Sequence, residues 1–415
     1  MNRHIAHALT ALALGICSTP SADAVGLSIA RSAGMAGAYM GMASGVEASR
    51  YNPANLGLTS HQRTGLLLAG AGVTFANNSF SLADYNKYSG AILTQADKDY
   101  ILGKIPVEGL IVSADAEASV AGVANGSIAL AFTGQAGAEM NLGHTVLDLL
   151  LNGNAYGDTL KLQSMYGSAI AYGGVGVSYG FPVLALGNRQ LAFGVTAKYL
   201  KGFYYNDIVR LTGDAVTLTT GFAGDGSIIL NTAQGGTGYG LDFGAALKLS
   251  EHYTAGISLY NAVSRIRWDY KPKEEGFLYS FDSLYVGSVA DSLSVTQNYT
   301  RTINPFVTSL PRVLRTGIAN TTGRLQWAFD WTQGFTLAPG SSTKPRVALG
   351  AEWRLIPLVP LRAGYALGGS QGAQLAGGAG LDLGPLYFDF AALSASGTGS
   401  GARGLQLAVS SGLNF

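Results

Sequence analysis

In the stretch Leu325–Thr332, LQWAFDWT, every second residue is large and apolar: Leu325, Trp327, Phe329 and Trp331 fall on one side, and Gln326, Ala328, Asp330 and Thr332 on the other. A period of two belongs to a β-strand with one greasy face, because successive strand side chains point to opposite sides. The same split returns in RVALGAEWRL (Val347, Leu349, Ala351, Trp353, Leu355), in GLDFGAALKL (Leu241, Phe243, Ala245, Leu247, Leu249) and in LAFGVTAKY (Leu191, Phe193, Val195, Ala197, Tyr199). A soluble sandwich would alternate in the same way, so the opposite face has to decide. In a sandwich that face meets bulk water and is rich in Lys, Glu and Thr. Here it is mostly Gly and Ala with isolated charges, which suits an enclosed interior.

Strands marked by this alternation lie at roughly 64–76, 110–122, 127–140, 167–180, 190–205, 238–249, 254–270, 311–319, 325–336, 344–355, 359–368, 374–383, 388–396 and 403–415, about fourteen in all. Most reach the 9–11 residues that a tilted membrane strand needs. Short connections (123–126, 250–253, 320–324, 384–387, with the longer FPVLALGNR as the exception) alternate with long ones (77–109, 141–166, 206–237, 271–310). Short turns on one side and long loops on the other are the arrangement of an outer-membrane barrel of a diderm (Gram-negative) bacterium, with the long loops outside the cell and both termini in the periplasm. The last strand, LQLAVSSGLNF, runs to the final residue and ends on an aromatic; Phe415 resembles the signal that such barrels present to their assembly machinery.

Composition agrees. Charged residues make up 12%, mean hydropathy is +0.22, and there are 58 glycines and 21 tyrosines, too apolar and glycine-rich for an ordinary soluble enzyme. Beyond the leader no apolar run approaches the roughly 18 residues of a membrane helix, so spanning requires a closed barrel. Residues 1–24 read as a secretory signal peptide: Arg3, the apolar run ALTALALGIC, then SADA with a cleavage site after Ala24. A lipoprotein reading uses Cys17, at lipobox distance from Leu14, but Ile16 is the wrong residue before it. Cys17 is the single cysteine, so the mature chain forms no disulfide. A net charge of +1 without a basic cluster gives no footprint for nucleic acid.

Eight strands close on their own side chains and sixteen to eighteen leave an aqueous channel. A fourteen-stranded lumen is too wide for Gly and Ala to fill, so it is either a pore or plugged. The mature N-terminal segment, residues 25–63, is the available plug: it is rich in small residues, lacks strand alternation, and turns at Asn52-Pro53, since proline fixes its own torsion and pushes its predecessor towards extended conformations. Arg31, Gly34, Gly37, Ala38 and Tyr39, followed by Asn52, Pro53, Ala54 and Leu56, resemble the N-terminal region of FadL-like outer-membrane barrels and of the related PorV-type and uncharacterised barrels. The resemblance implies a hatch inside a fourteen-stranded barrel and a fold that admits hydrophobic molecules such as fatty acids or aromatic hydrocarbons. The stretches TQADKDYILGKIP, TVLDLLLNGN and GVGVSYGFP look most like the uncharacterised branch. FadL-like members usually carry Trp or Phe before Asn-Pro-Ala, where this chain has Tyr51.

Two outer loops carry short helical signals. Thr94 caps a turn that presents Tyr100, Ile101 and Ile105; Thr145 precedes Val146, Leu147, Leu149, Leu150 and Leu151, with Gly153 as the stop. These apolar residues either cover the rim or form a groove that captures a hydrophobic ligand. The inward charges Asp242, Lys248, Asp330, Arg346, Glu352, Arg354, Arg362, Asp382 and Asp389 are mixed in sign and are expected to pair with one another or to hold the plug, Arg31 included.

Gly368–Gly372, GGSQG, matches a hydrolase elbow in letters, but falls in a hairpin where the elbow needs a strand leading into a helix. Gly399–Gly404, GSGARG, precedes a strand where a dinucleotide site needs a helix. His61, His144 and His252 have no metal-ligand spacing. The expectation is a barrel without catalytic residues, cofactor or metal, embedded in outer-membrane lipid and serving passive uptake of small hydrophobic compounds. A non-transport scaffold that holds secreted or surface proteins through loops 206–237 and 271–310 is the alternative, and an enzyme barrel the third.

Overall fold

In the computed structural model of the chain, the described residues are 26–415 apart from 154–155, 158, 162–164, 220, 285–293 and 337–341. The leader, Cys17 and Val25 at the start of the expected hatch lie outside the described residues. Fourteen strands close into one antiparallel barrel: β1 (Gly65–Asn77), β2 (Leu110–Asn125), β3 (Ile128–Leu142), β4 (Tyr166–Leu186), β5 (Arg189–Leu218), β6 (Gly235–Lys248), β7 (Tyr253–Tyr270), β8 (Val313–Asn320), β9 (Leu325–Gly334), β10 (Arg346–Ile356), β11 (Val359–Gly368), β12 (Gln374–Leu383), β13 (Leu386–Ala395) and β14 (Gly404–Asn414). Each strand pairs with its neighbour in sequence, and β14 returns to β1 over Gly65↔Asn414 through Ala76↔Gly404, so the ring has no edge.

Every stretch expected from the alternation is a barrel strand. The apolar set faces out: Leu325 is 57% exposed, Leu349 56%, Phe390 51% and Val409 49%, while their inward neighbours Ala328, Ala348, Ala391 and Ala408 are buried.

Three connections differ from expectation. FPVLALGNR is not a loop: β4 runs to Leu186 and turns tightly at Gly187 (φ +57°) and Asn188. Pro182 is tolerated there because the pairing with β5 slips between Pro182 and Leu184, where a missing N–H breaks no ladder bond. Loops 206–237 and 271–310 are largely strand. β5 is 30 residues long, about 100 Å at about 3.3 Å per residue against a hydrocarbon core of about 30 Å. Its outer half pairs with 221–233, which pairs with 273–284, which pairs with 294–302. The barrel wall therefore continues outside the membrane as a tongue of four long strands, with the short strand Thr159–Lys161 paired to 214–216 on the other side of β5.

Residues 26–58 fill the lumen. The segment holds two short helices, α1 (Ala30–Gly34) and α2 (Gly45–Tyr51), and a 3₁₀ turn, Pro53–Gly57. All of its residues are buried except Arg31, Gly37, Ser44 and Glu47, which are half-buried. Ile29, Met35, Tyr39 and Met42 pack against one small residue from each of seven consecutive strands: Ala319, Ala328, Ala348, Ala366, Ala376, Ala391 and Ala408. Elsewhere the hatch backbone lies directly on glycine. A methyl group at Gly364 would stand 2.3 Å from the Met35 carbonyl carbon, and one at Gly194 2.3 Å from the Pro53 carbonyl carbon. The Gly/Ala inner face is thus the imprint of the plug.

Gly364→Ala is expected to destabilise the folded barrel by about 1–3 kcal/mol, the usual cost of overpacking. Gly377→Ala, where a methyl group meets open space, is the control. Thermal loss of the compact gel mobility compares the two, and equal midpoints would contradict the close contact.

Candidate functional site

The Asn-Pro-Ala turn anchors the hatch through side-chain amides. Asn52 Oδ1 accepts from the Ala54 N–H (3.1 Å), and its Nδ2 donates to the Ala245 carbonyl of β6 (3.0 Å). Pro53 sits first in the 3₁₀ turn, where a missing N–H leaves nothing unpaired. Asn55 Nδ2 donates to the Met40 and Ala43 carbonyls (2.9 and 2.8 Å), tying the turn to the rest of the hatch. Ala54 packs with Ala192 and Ala246, and Leu56 with Val46, Leu67 and Ala129. Tyr51 meets Tyr39 edge to face at 5.3 Å, and its hydroxyl shares a hydrogen bond with Ser32 that Phe could not make.

One carboxylate gathers the charges on one wall. Glu352, fully buried on β10, takes Arg31 of α1 through both oxygens (2.8 and 3.0 Å), Arg354 at 2.8 Å and Arg362 at 2.8 Å. Arg362 reaches on to Asp389 (2.5 Å) and Arg354 to Asp382 (2.8 Å). Three cations and three carboxylates balance. Arg31 also lies 5.5 Å from the Tyr39 ring centre, and the Tyr39 hydroxyl donates to Glu47 (2.5 Å). Gly34 lies against Gly378 and the stem of Arg362, and Gly37 (φ +80°) faces Arg346, which donates to the Ala36 carbonyl (2.7 Å) and to Gln374. Buried Ala38 belongs to the cluster on the alanine ring. Asp330 accepts from the Tyr39 and Met40 N–H groups (2.7 and 2.8 Å).

A second cluster holds the hatch from another part of the wall. Glu117 on β2 accepts from the Gly26 N–H (3.0 Å) and the Ser28 hydroxyl (2.5 Å), and pairs with Arg50 of α2 at 2.8 Å. Beside it Lys198 pairs with Asp242 (2.7 Å) and stands 3.5 Å from the Tyr260 ring centre. Asp242 also accepts from the N–H of Asn261, a left-handed residue (φ +49°) at a bulge of β7. Lys248 is half-buried at the periplasmic end of β6, outside both clusters. Arg50 and Glu117 escaped the sequence reading, although Glu117 lies on the inward set of β2 with Asp115 and Ser119.

Two cavities of about 30 Å³ border the hatch, one beside Tyr51, Arg315 and Arg346, the other beside Arg50, Tyr172 and Leu310; each has room for about one water. A hollow of about 600 Å³ lies on the lipid-facing side between Phe388, Phe390 and Ala71. On the extracellular side of the hatch the inner wall carries an apolar cluster: Tyr172, Leu200, Ile266, Trp268 and Leu310, with Tyr205 and Phe306 packed on it.

The outer helices are α3 (Leu82–Tyr88), α4 (Gln95–Lys104) and α5 (His144–Asn152). Thr94 caps α4 as expected. Thr145 does not cap α5, which starts one residue earlier behind Gly143, and Gly153 ends it at φ +74°. Ile105, Leu147 and Leu151 pack together with Leu102 and Leu110; Ile101 and Leu149 are half-buried, Tyr100 is 46% exposed and Leu150 68%. Gly368–Gly372 lies in the turn between β11 and β12, and Gly399–Gly401 in a short 3₁₀ turn before β14. Phe415 is exposed and donates its N–H to the Thr64 carbonyl.

A family profile, "Family of unknown function (DUF5723)", matches residues 53–393. The chain belongs to this family. No curated protein matches this DUF5723 chain. Among solved structures it is similar to the toluene transporter TbuX of Ralstonia pickettii (14% identity, 93% of this chain and 98% of that one, TM-score 0.54) and to the toluene transporter TodX of P. putida (12%, 93% and 98%, 0.51). A Pseudomonas aeruginosa FadL homologue is similar too (13%, 96% and 98%, 0.51). Identities this low establish the fold alone: the DUF5723 chain folds as these barrels do, a closed fourteen-stranded barrel with its N-terminal segment in the lumen.

Glu352 binds two wall arginines besides Arg31, so Arg31→Glu with Glu352→Arg is expected not to restore stability. A cycle of Arg31→Ala with Glu352→Gln should show a coupling of about 0.5–3 kcal/mol, whereas Arg31→Ala with Arg50→Ala, which share no partner, should add. Thermal midpoints of the three single and two double variants decide. In the outer loop, burial raises the Asp84 carboxyl, but Lys104 (2.6 Å) and the Ser81 hydroxyl and N–H outweigh it and hold the carboxyl well below the usual carboxylate range. The folded value lies below the unfolded one. The contact therefore stabilises at pH above the ordinary carboxylate range and is lost as pH falls through the depressed value. Asp84→Asn should speed protease cleavage in 78–109 at pH 7, and equal rates would contradict the anchor.

Proposed function

We propose that this protein carries small hydrophobic compounds passively across the outer membrane. The observation that supports it is the apolar patch of Tyr172, Leu200, Ile266, Trp268 and Leu310 on the inner wall above the hatch, where a water-filled pore would favour polar residues. TbuX and TodX, which share the fold, are toluene transporters. Capture at the outer loops, passage into the lumen past the hatch, and release sideways or to the periplasm make up the route. The 30 Å³ cavities are far below the roughly 300–1,000 Å³ of an ordinary ligand site, so passage requires the hatch or the loops over it to shift. No catalytic step or cofactor belongs to this reading. The mature chain is taken to begin after signal-peptide cleavage at Ala24.

A non-transport scaffold for secreted or surface proteins is the second reading, favoured by the tongue that β5 carries beyond the membrane.

Extraction in mild detergent followed by mass spectrometry of bound small molecules tests transport. A hydrophobic compound is expected to co-purify and to be lost from Leu310→Asp, which puts a charge into the patch. A bare lumen in repeated preparations would contradict uptake.

A further inference from the structure

The tongue ends on a strand with no strand beyond it. Among the described residues, 294–302 pairs with 273–281 on one side, and no strand pairs with its other side. In an antiparallel pair only alternate residues turn their N–H and C=O towards the partner, so half of the backbone groups of this strand point away from the sheet. Gln297 to Thr302 are all exposed.

Protein edges are normally blunted by a proline, a bulge or a charge held outward. Here none of the three is present. The strand SVTQNYTRT has no proline, and its register runs unbroken from Ser294 to Thr302. Its one charged side chain is turned back: Arg301 pairs with Glu274 on the adjacent strand at 2.9 Å. The Tyr299 hydroxyl donates to the same carboxylate (2.9 Å), and its ring lies over Gly276, where a side chain would collide with it. Both large side chains lean over the sheet and leave the rim bare.

The occupant can be specified. Arg301 is the one ionised side chain of this strand; its Nη2 goes to Glu274, and the side chain is still 64% exposed, so an added strand meets a cation there. A second copy of the chain in the same membrane presents the same strand descending in the same sense, and so cannot supply an antiparallel partner. We propose that the free edge takes up an extended segment of another, extracellular polypeptide as an additional antiparallel strand, with an acidic residue opposite Arg301. Main-chain hydrogen bonds supply the affinity and the acidic residue fixes register. This rests on the scaffold reading and names its mode of contact.

The test uses the intact, detergent-extracted protein and a fluorescent peptide of the sequence KEEGFLYSF (273–281), which already pairs antiparallel with this strand on its inner side. Two further peptides carry N-methyl groups, one on the odd and one on the even residues. Strand addition uses only one set of peptide N–H groups, so by fluorescence anisotropy one methylated peptide should bind at least tenfold more weakly and the other like the parent. Replacing both glutamates of the peptide by lysine should also weaken binding at least tenfold. Equal binding by both methylated forms would overturn strand addition while leaving a scaffold acting through another surface. No binding by the parent, or a dimer of the protein that the peptide dissociates, would overturn the proposal as well.

Discussion

In hydrocarbon a backbone N–H or C=O without a partner has no water to fall back on. That requirement drives the sheet to join β14 to β1, and the rest of the architecture follows from closure. Fourteen strands enclose a lumen wider than their own side chains can fill. The chain fills it with its own N-terminal segment. The segment can lie close to the wall only where the wall is Ala or Gly, so the inner residues are small. The composition that first looks like a shortage of core-forming side chains is a core made of backbone against backbone.

Within this packing the charges have a positional role. Two carboxylates of the wall, Glu352 and Glu117, each take an arginine of the hatch, Arg31 and Arg50. Burying such groups costs solvation that their pairing only roughly returns, so they are weak arguments for stability. They are stronger arguments for placement: the first fixes α1 against β10 and β11, and the second fixes α2 against β2. The Asn-Pro-Ala turn completes the fixation with side-chain amide hydrogen bonds to β6 and to the hatch itself.

The barrel was legible in the sequence wherever one face met lipid and the other met the hatch, because those two environments demand opposite side chains at every step. Legibility failed outside the membrane. In 206–218, 221–233 and 294–302 both faces are mixed, and Gly213, Asp214, Gly224 and Asp225 read as turns although they lie in paired strands. The overlooked signal there was β-branched density, as in SIIL and SVTQNYTRT. Of the site, the charges on β9 to β13 could be read from alternation, and the hatch motif from its resemblance to the N-terminal segment of FadL-like barrels. Which charges meet depends on how the hatch threads the lumen, and that is set by strand registers that no local pattern encodes.

The central claim is that the hatch seals the lumen in the resting protein. Conductance of the purified protein in a planar lipid bilayer tests it most directly. The packing predicts no steady ionic current above that of the bare membrane, whereas a stable, ohmic conductance step for each inserted barrel would contradict it.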